Sequence, residues 1–465
     1  MKESLHKKYG RLLRRALLYL GIYLLLCLLV PPLLGAHKKS DAQLTLPAPA
    51  AERICFVDSN EDALHWRLRL IASAQEELQA STFDFCADNS GTDVIAALWD
   101  AAERGVRVRL IVDGISAQLH LIGSDAFRAL AAHENTEIKF YNPIRLTAFW
   151  RVNYRCHDKY LVIDRSVYLF GGRNTSDLFL GSGGEARRNR DHDVVVYGDS
   201  SAASSVSTLL RYFDDIWSLD TNWEFHSNGE KQRVQEAAEG LSARWAQLND
   251  ASQLPPIDWD AEMMPANGVT LLHGDCSAWN KEPALMNTLG ALMREAKESV
   301  VVQTPYIICD HAMYDTLEAA AGGTAQVQII TNAPQSGANP CGCVDYLNHK
   351  GRILRTGVSL CEWSGERSMH TKTLLIDDRL SLIGSFNWDM RSAYLDTELM
   401  LLVDSPTLNA ALRAETDEMI GQSRLLMPDG TTAEGEAYTA PAASPVKLIL
   451  YTLLRPLILP LRYLL

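Results

Sequence analysis

The sequence predicts an α/β protein made of two pseudo-twofold-related α/β/α halves that share one active site, preceded by an N-terminal transmembrane helix. Three observations predict it. The string CHDKYLVIDRSVYLFGGRN at 156–174 returns, without a gap, as MHTKTLLIDDRLSLIGSFN at 369–387. Matching strand and helix patterns surround each copy. The chain also opens on a long apolar run behind a basic flank.

Residues 1–40 form the basic tail and anchor: Lys2, Lys7, Lys8, Arg11, Arg14 and Arg15, then an apolar stretch from Ala16 to Ala36. That stretch is about the 20 residues needed to cross a bilayer. Its basic flank, against only Lys38 and Lys39 after it, orients the N-terminus to the cytoplasm and the body outside. A cleaved signal peptide is the alternative, because Leu34-Gly35-Ala36 ends in small residues, but the run is long for one. A linker, 41–54, leads into the first half, 55–217.

In that half Leu64, Leu68 and Ile71 recur at helical spacing, then come a strand over Leu78–Phe83, a helix over Thr92–Arg104 and a strand over Val106–Val112. The second half, 268–427, repeats the order: Leu285, Leu289 and Leu292, then Val300–Thr304, His311–Ala321 and Val327–Thr331. Strand–helix–strand alternation of apolar strands implies a largely buried sheet in each half. A polar connection, 218–267, carries a helix over Lys231–Leu248. A polar linker, 428–445, precedes an apolar C-terminal segment, 446–465, interrupted by Arg455, Pro456, Pro460 and Arg462. The prolines break a spanning helix, so the segment is expected to lie at a membrane interface; packing on the protein's own core is the alternative.

A net charge of −13 opposes a general nucleic-acid coater, and no stable nucleic-acid partner is expected. Of nine cysteines, Cys27 lies in the anchor; pairing of the others is undetermined, and Cys341-Gly-Cys343 alone is weak evidence of a metal. No metal or other cofactor is expected.

Residues i and i+2 of a strand share a face, so His157 projects with Lys159 and His370 with Lys372. Two lysines, with amides of Asn174 and Asn387 after the glycine turns, would offset the charge of a phosphodiester. One imidazole would attack phosphorus, and the other would protonate the leaving alkoxide and then deprotonate the acceptor. Each needs an acid on its far ring nitrogen. Aligning Asp193-Val-Val-Val-Tyr-Gly-Asp-Ser with Glu398-Leu-Met-Leu-Leu-Val-Asp-Ser nominates Asp193 and Glu398, with Asp191 second choice for the first. Asp164 and Asp377 lie an odd five residues beyond the lysines, pointing away, and are expected to be architectural.

The doubled H-x-K-x4-D motif resembles the phospholipase D superfamily between about Cys55 and Met427. The run Gly384-Ser-Phe-Asn387-Trp-Asp389-Met-Arg391-Ser392…Leu395-Asp-Thr-Glu398 is similar to bacterial cardiolipin synthases carrying one N-terminal hydrophobic segment. Asp396 departs from that pattern, which has Asn there, and stands beside Glu398. The resemblance implies phospholipid substrates, anionic or zwitterionic, a membrane location and a metal-independent reaction through a phosphohistidine. It implies His157 as nucleophile, His370 as acid/base, and Arg391 with Ser392 near the substrate phosphate, with Arg391 bracing Glu398 or Asp389 as the equal alternative. Hydrolysis of phospholipids is the first alternative and a membrane-anchored nuclease the second; oligomeric state is left open.

Overall fold

The computed structural model describes residues 2–35, 44–47, 51–181, 189–198, 201, 204–250, 254–365, 367–441 and 444–465. Ala36, Lys38 and Lys39, which enter the anchor reading, lie outside them.

The first half is a nine-stranded sheet of β1 (Arg53–Val57), β2 (Glu77–Thr82), β3 (Arg107–Asp113), β4 (Thr136–Tyr141), β5 (Lys159–Ile163), β6 (Val167–Gly171), β7 (Asp193–Tyr197), β8 (Trp223–Glu224) and β9 (Met264–Pro265). The second half contributes β10 (Gly268–His273), β11 (Ser299–Gln303), β12 (Ile307–Ile308), β13 (Gln326–Asn332), β14 (Ser359–Trp363), β15 (Thr373–Ile376) and β16 (Leu380–Gly384). It ends with β17 (Trp388–Asp389), β18 (Leu399–Asp404), β19 (Ser423–Leu426) and β20 (Thr432–Glu434).

Spatial order runs β8-β4-β3-β2-β5-β6-β7-β1-β9 in one sheet and β10-β18-β16-β15-β11-β13-β14-β19-β20 in the other. Read from opposite ends, β4-β3-β2-β5-β6-β7-β1 superposes in order on β14-β13-β11-β15-β16-β18-β10, so the duplication in sequence is one of topology. Within the two large sheets the parallel pairs are β2–β3–β4 and β11–β13–β14, joined by crossover helices, while the motif strands pair antiparallel; the short β12–β17 pair is also parallel. Because helices cover these sheets, β5 is buried at every position and reads as a continuous apolar run after its lysine.

The duplicated aspartates make the loops. Asp164 and Asp377 sit at positive φ, 46° and 51°, immediately after the motif strands. The Asp164 carboxylate accepts the N–H groups of Gln75, Glu76 and Glu77; Asp377 accepts those of Lys297, Glu298 and Ser299. Each ties the end of a motif strand to the start of its neighbour, well away from the motif histidine.

The helix over Lys2–Gly35 contains an 18-residue span, Leu13–Val30, long and apolar enough to cross a membrane and only 6% buried. The inter-half helix occupies Lys231–Leu248. At the C-terminus, Pro456 does not end the helix, which runs Pro445–Ile458 and tightens into a 3-10 turn over Leu459–Leu464. The expected break falls three residues later, because the helix packs along Pro340–Arg355 and that contact holds it through the proline. All nine cysteines are free thiols.

Candidate active site

The two motif strands meet at the seam between the halves through crossed backbone bridges, Cys156 with Thr397 and Arg190 with Met369. His370 N–H donates to Arg190 O at 2.7 Å, and His157 N–H donates to Thr397 Oγ1 at 3.0 Å. Each histidine is therefore fixed by the opposite half. Its side chain is too. His157 Nδ1 lies 2.9 Å from Glu398 Oε1, and His370 Nδ1 lies 2.6 Å from Asp191 Oδ2. A carboxylate on Nδ1 selects the tautomer that leaves Nε2 for the reacting group. Phe83 meets the His157 ring edge-on at 4.9 Å, and Phe179 does the same to His370 at 4.9 Å.

Asp191, not Asp193, is thus the first half's partner carboxylate, which corrects the alignment. The ladder explains why. Gly171 pairs with Asp193 and Gly384 with Met400, so Glu398 corresponds to Asp191, two residues earlier. The gapless alignment places 199–200 opposite 404–405 by their shared Asp-Ser, and a two-residue slip in a strand pattern keeps every side chain on its face. Asp193 instead forms a buried ion pair with Arg67 at 2.9 Å and lies 3.5 Å from Arg173. The glycine pair carried the missing signal: a Cβ at Gly172 would stand 2.2 Å from Asp191 Oδ1. In the second half Ser385 takes that place and its hydroxyl donates to Glu398.

The lysines lie beneath their histidines. Lys159 Nζ donates to His157 O, and Lys372 Nζ donates to His370 O while standing 3.8 Å from Asp191. Both are buried, and burial holds both below the usual lysine range, Lys372 at about 7. Burial and the adjacent lysines also depress the histidines, His157 strongly and His370 to about 3, so both imidazoles are neutral in the free enzyme. The acids diverge. Burial alone would raise Asp191, yet Lys372 and the His370 hydrogen bond bring it to about 2. Burial, with Asp396 nearby, lifts Glu398 to about 8 despite Lys159.

Asn174 and Asn387 are buried, and the Oδ1 atom of each is without a hydrogen-bond partner. Asn387 Nδ2 reaches Tyr306 Oη at 3.4 Å, held there by the short β12–β17 pairing. Arg391 and Ser392 are both engaged by groups of the protein itself. Arg391 grips Asp396 at 2.9 and 3.3 Å and donates to the carbonyls of Asn153 and Leu464. Ser392 Oγ donates to Glu398 Oε1 at 2.6 Å. Asp396, which stands where the expected motif has Asn, is therefore the arginine's ion-pair partner. Sequence reasoning also missed Thr397, whose hydroxyl accepts from His157 N–H and donates to buried Asp158 at 2.8 Å. Tyr306 was missed as well. Neither stands inside the repeated string.

A cavity of about 230 Å³ opens onto His370, lined among others by Tyr306, Asn332, Asn339, Ser368 and Met369. A larger cleft, about 810 Å³ beside Asp58, Arg190, Trp363 and Arg367, includes none of the four motif histidines and lysines in its lining. Of the four motif histidines and lysines, only His370 lines the smaller cavity. Two neutral imidazoles, two buried lysines and two carboxylates around one seam can hold a phosphodiester, attack it, and move a proton.

Comparison with known proteins agrees. The family described as "Cardiolipin synthase, PLD-like domain" matches residues 68–217 and 289–420, one segment in each half. Cardiolipin synthase C of Escherichia coli K12 is 27% identical over 396 residues, covering 76% of this chain and 81% of its own. Cardiolipin synthase 1 of Staphylococcus aureus COL is 25% identical over 380 residues, covering 80% and 68%. Among solved structures, the phosphatidylserine synthase of Haemophilus influenzae shares the fold, with a TM-score of 0.65, 18% identity and coverage of 90% and 98%.

Proposed function

The chain belongs to the cardiolipin synthase, phospholipase D-like family and is a phospholipid-modifying enzyme of the membrane; on that premise we propose that it transfers a phosphatidyl group from one phospholipid to a hydroxyl of another through a phosphohistidine. The observation that carries the proposal is the crossed pairing, in which each imidazole is held by a carboxylate of the opposite half.

In the first step His157 Nε2 attacks phosphorus. An N–P bond forms, the P–O bond to the donor headgroup breaks, and His370 gives that oxygen its proton. Binding of the phosphodiester anion offsets the pull of Lys159 and Lys372, so His370 can arrive protonated. In the second step neutral His370 takes the proton of the acceptor hydroxyl, whose oxygen displaces His157. The lysines and the amides of Asn174 and Asn387 stabilise the equatorial oxygens throughout. The basic flank supports a cytoplasmic N-terminus and an extracytoplasmic catalytic body.

Detergent-solubilised full-length protein incubated with headgroup- and acyl-labelled phosphatidylglycerol tests this. Cardiolipin with released glycerol is expected. Phosphatidic acid instead would assign hydrolysis, and turnover of DNA but of neither lipid would refute the reading.

A further inference from the structure

The C-terminal helix Pro445–Ile458 is turned inside out. A helix on a water-facing surface puts its apolar stripe against the core and its charges outward. Here Val446, Ile449, Leu453 and Leu457 face outward, with Leu453 64% exposed. The cations are tied to the body by hydrogen bonds, although Arg455 itself stays exposed. Lys447 Nζ donates to Gln335 O at 2.7 Å, and Arg455 Nε to Asn348 Oδ1 at 2.8 Å. In the following turn Arg462 pairs with Asp345 at 2.6 Å and donates to Cys309 O. Only Tyr451 and Ile458 of the helix are fully buried. Polar anchoring to the body with a contiguous apolar outer face marks a surface that meets a non-aqueous phase.

Its neighbours identify that phase. The membrane-spanning helix packs against the C-terminal turn Leu459–Leu464 and against the rim segment Leu146–Arg151 of the first half. Tyr23 Oη donates to Leu146 O at 2.8 Å, and Asn153 Nδ2 donates to Leu28 O at 2.9 Å. Ile144 and Leu146 on the rim are exposed, as are Leu459 and Leu461. The outward apolar residues of the rim and of the C-terminal turn therefore adjoin the apolar N-terminal helix, and that turn continues directly from the C-terminal helix.

We propose that the C-terminal helix and the 144–151 rim lie together in the interfacial layer of a lipid bilayer, so that the body rests on the membrane through this face. The same face is tied to the catalytic seam. Arg391 donates to Leu464 O at the C-terminal turn and to Asn153 O beside the anchor, and its other contacts hold Asp396, two residues before Glu398. Seating on the bilayer thus braces the strand whose acid orients His157. This deepens the phospholipid-transfer reading by naming the surface through which lipid reaches the site, but its primary readout is independent of turnover.

Full-length protein carrying a fluorescent amino acid in place of Leu453 is reconstituted into phosphatidylglycerol vesicles containing phosphatidylcholine brominated along its acyl chains. Strong quenching is expected at 453 and none for the same label at Lys231, which lies exposed on the inter-half helix. An unquenched label at 453 would overturn the proposal. So would burial of the label in a second copy of the chain, seen as a sedimenting dimer that Ile449→Glu with Leu453→Glu dissociates. The double variant is further expected to lower turnover of vesicle lipid relative to monomeric short-chain phosphatidylglycerol by about tenfold or more, since two apolar side chains leave the bilayer and two charges take their place. An unchanged ratio counts against the proposal even where quenching is seen.

Discussion

Asp191→Asn and Asp193→Asn, two positions apart at the head of β7, should fail in opposite ways. Asp191 is fully buried, and its carboxyl is held at about 2 against an ordinary 3.8. At about 1.4 kcal/mol per pH unit, that difference is worth about 2 kcal/mol of preference for the ionised form. A folded value below the unfolded one contributes stability above pH 4 that is lost as pH falls towards 2. Asn keeps the shape but removes the charge, leaves His370 Nδ1 without its anionic acceptor and permits the wrong tautomer. Loss of a comparable imidazole–carboxylate pair costs about 10⁴-fold in kcat in the serine-protease triad. A fall of about 10³-fold or more in headgroup release is expected, with a modest change in melting temperature. Asp193→Asn leaves Arg67 and Arg173 buried without an anion, so about 3–5 kcal/mol of stability should go first. The assay is release of labelled glycerol from phosphatidylglycerol in mixed micelles, beside calorimetric unfolding of both variants. Near-native turnover by Asp191→Asn, with inactive but fully stable Asp193→Asn, would refute the geometry.

Other outcomes follow from the same groups. Lys372 titrates at about 7, so the phosphate cradle loses a positive charge as pH rises through that value and kcat/KM should fall on an alkaline limb there. Lys372→Arg should lower the maximum and move that limb upward; an unmoved limb would assign it elsewhere. His157→Ala should abolish both turnover and acid-labile phosphoenzyme, whereas His370→Ala should accumulate the phosphoenzyme after a short pulse; label on residue 370 of the parent protein would reverse the two roles. Asp377→Ala, which strands three backbone N–H groups at the head of β11, should cost about 1–3 kcal/mol in denaturant unfolding and leave the pH profile untouched.

Much of the site was readable because the repeat is written in contiguous residues. His157 with Lys159 and His370 with Lys372 need only the two-residue period of a strand to share a face, and the glycine turns bring Asn174 and Asn387 back to the same end. Helices such as His311–Ala321 and Lys231–Leu248 were equally plain, since their apolar spacing depends on no distant partner. Thr397, Tyr306 and the grip of Arg391 on the chain's last turn were invisible, because their partners lie 240, 81 and 73 residues away.

By itself, then, the sequence determined the duplication, the alternation of strands and helices, the apolar N-terminal helix and the pairing of His157 with Lys159 and of His370 with Lys372, all set by local periodicity and residue chemistry. Only the folded chain decided which acid serves which histidine. A strand pattern of period two looks the same after a two-residue slip, and β-ladder register, with room over Gly172 for a carboxylate, chose Asp191 over Asp193. The folded chain likewise decided which side of the C-terminal helix faces out, because Asn348 and Asp345, about a hundred residues earlier in the chain, bind Arg455 of the helix and Arg462 of the turn that follows it.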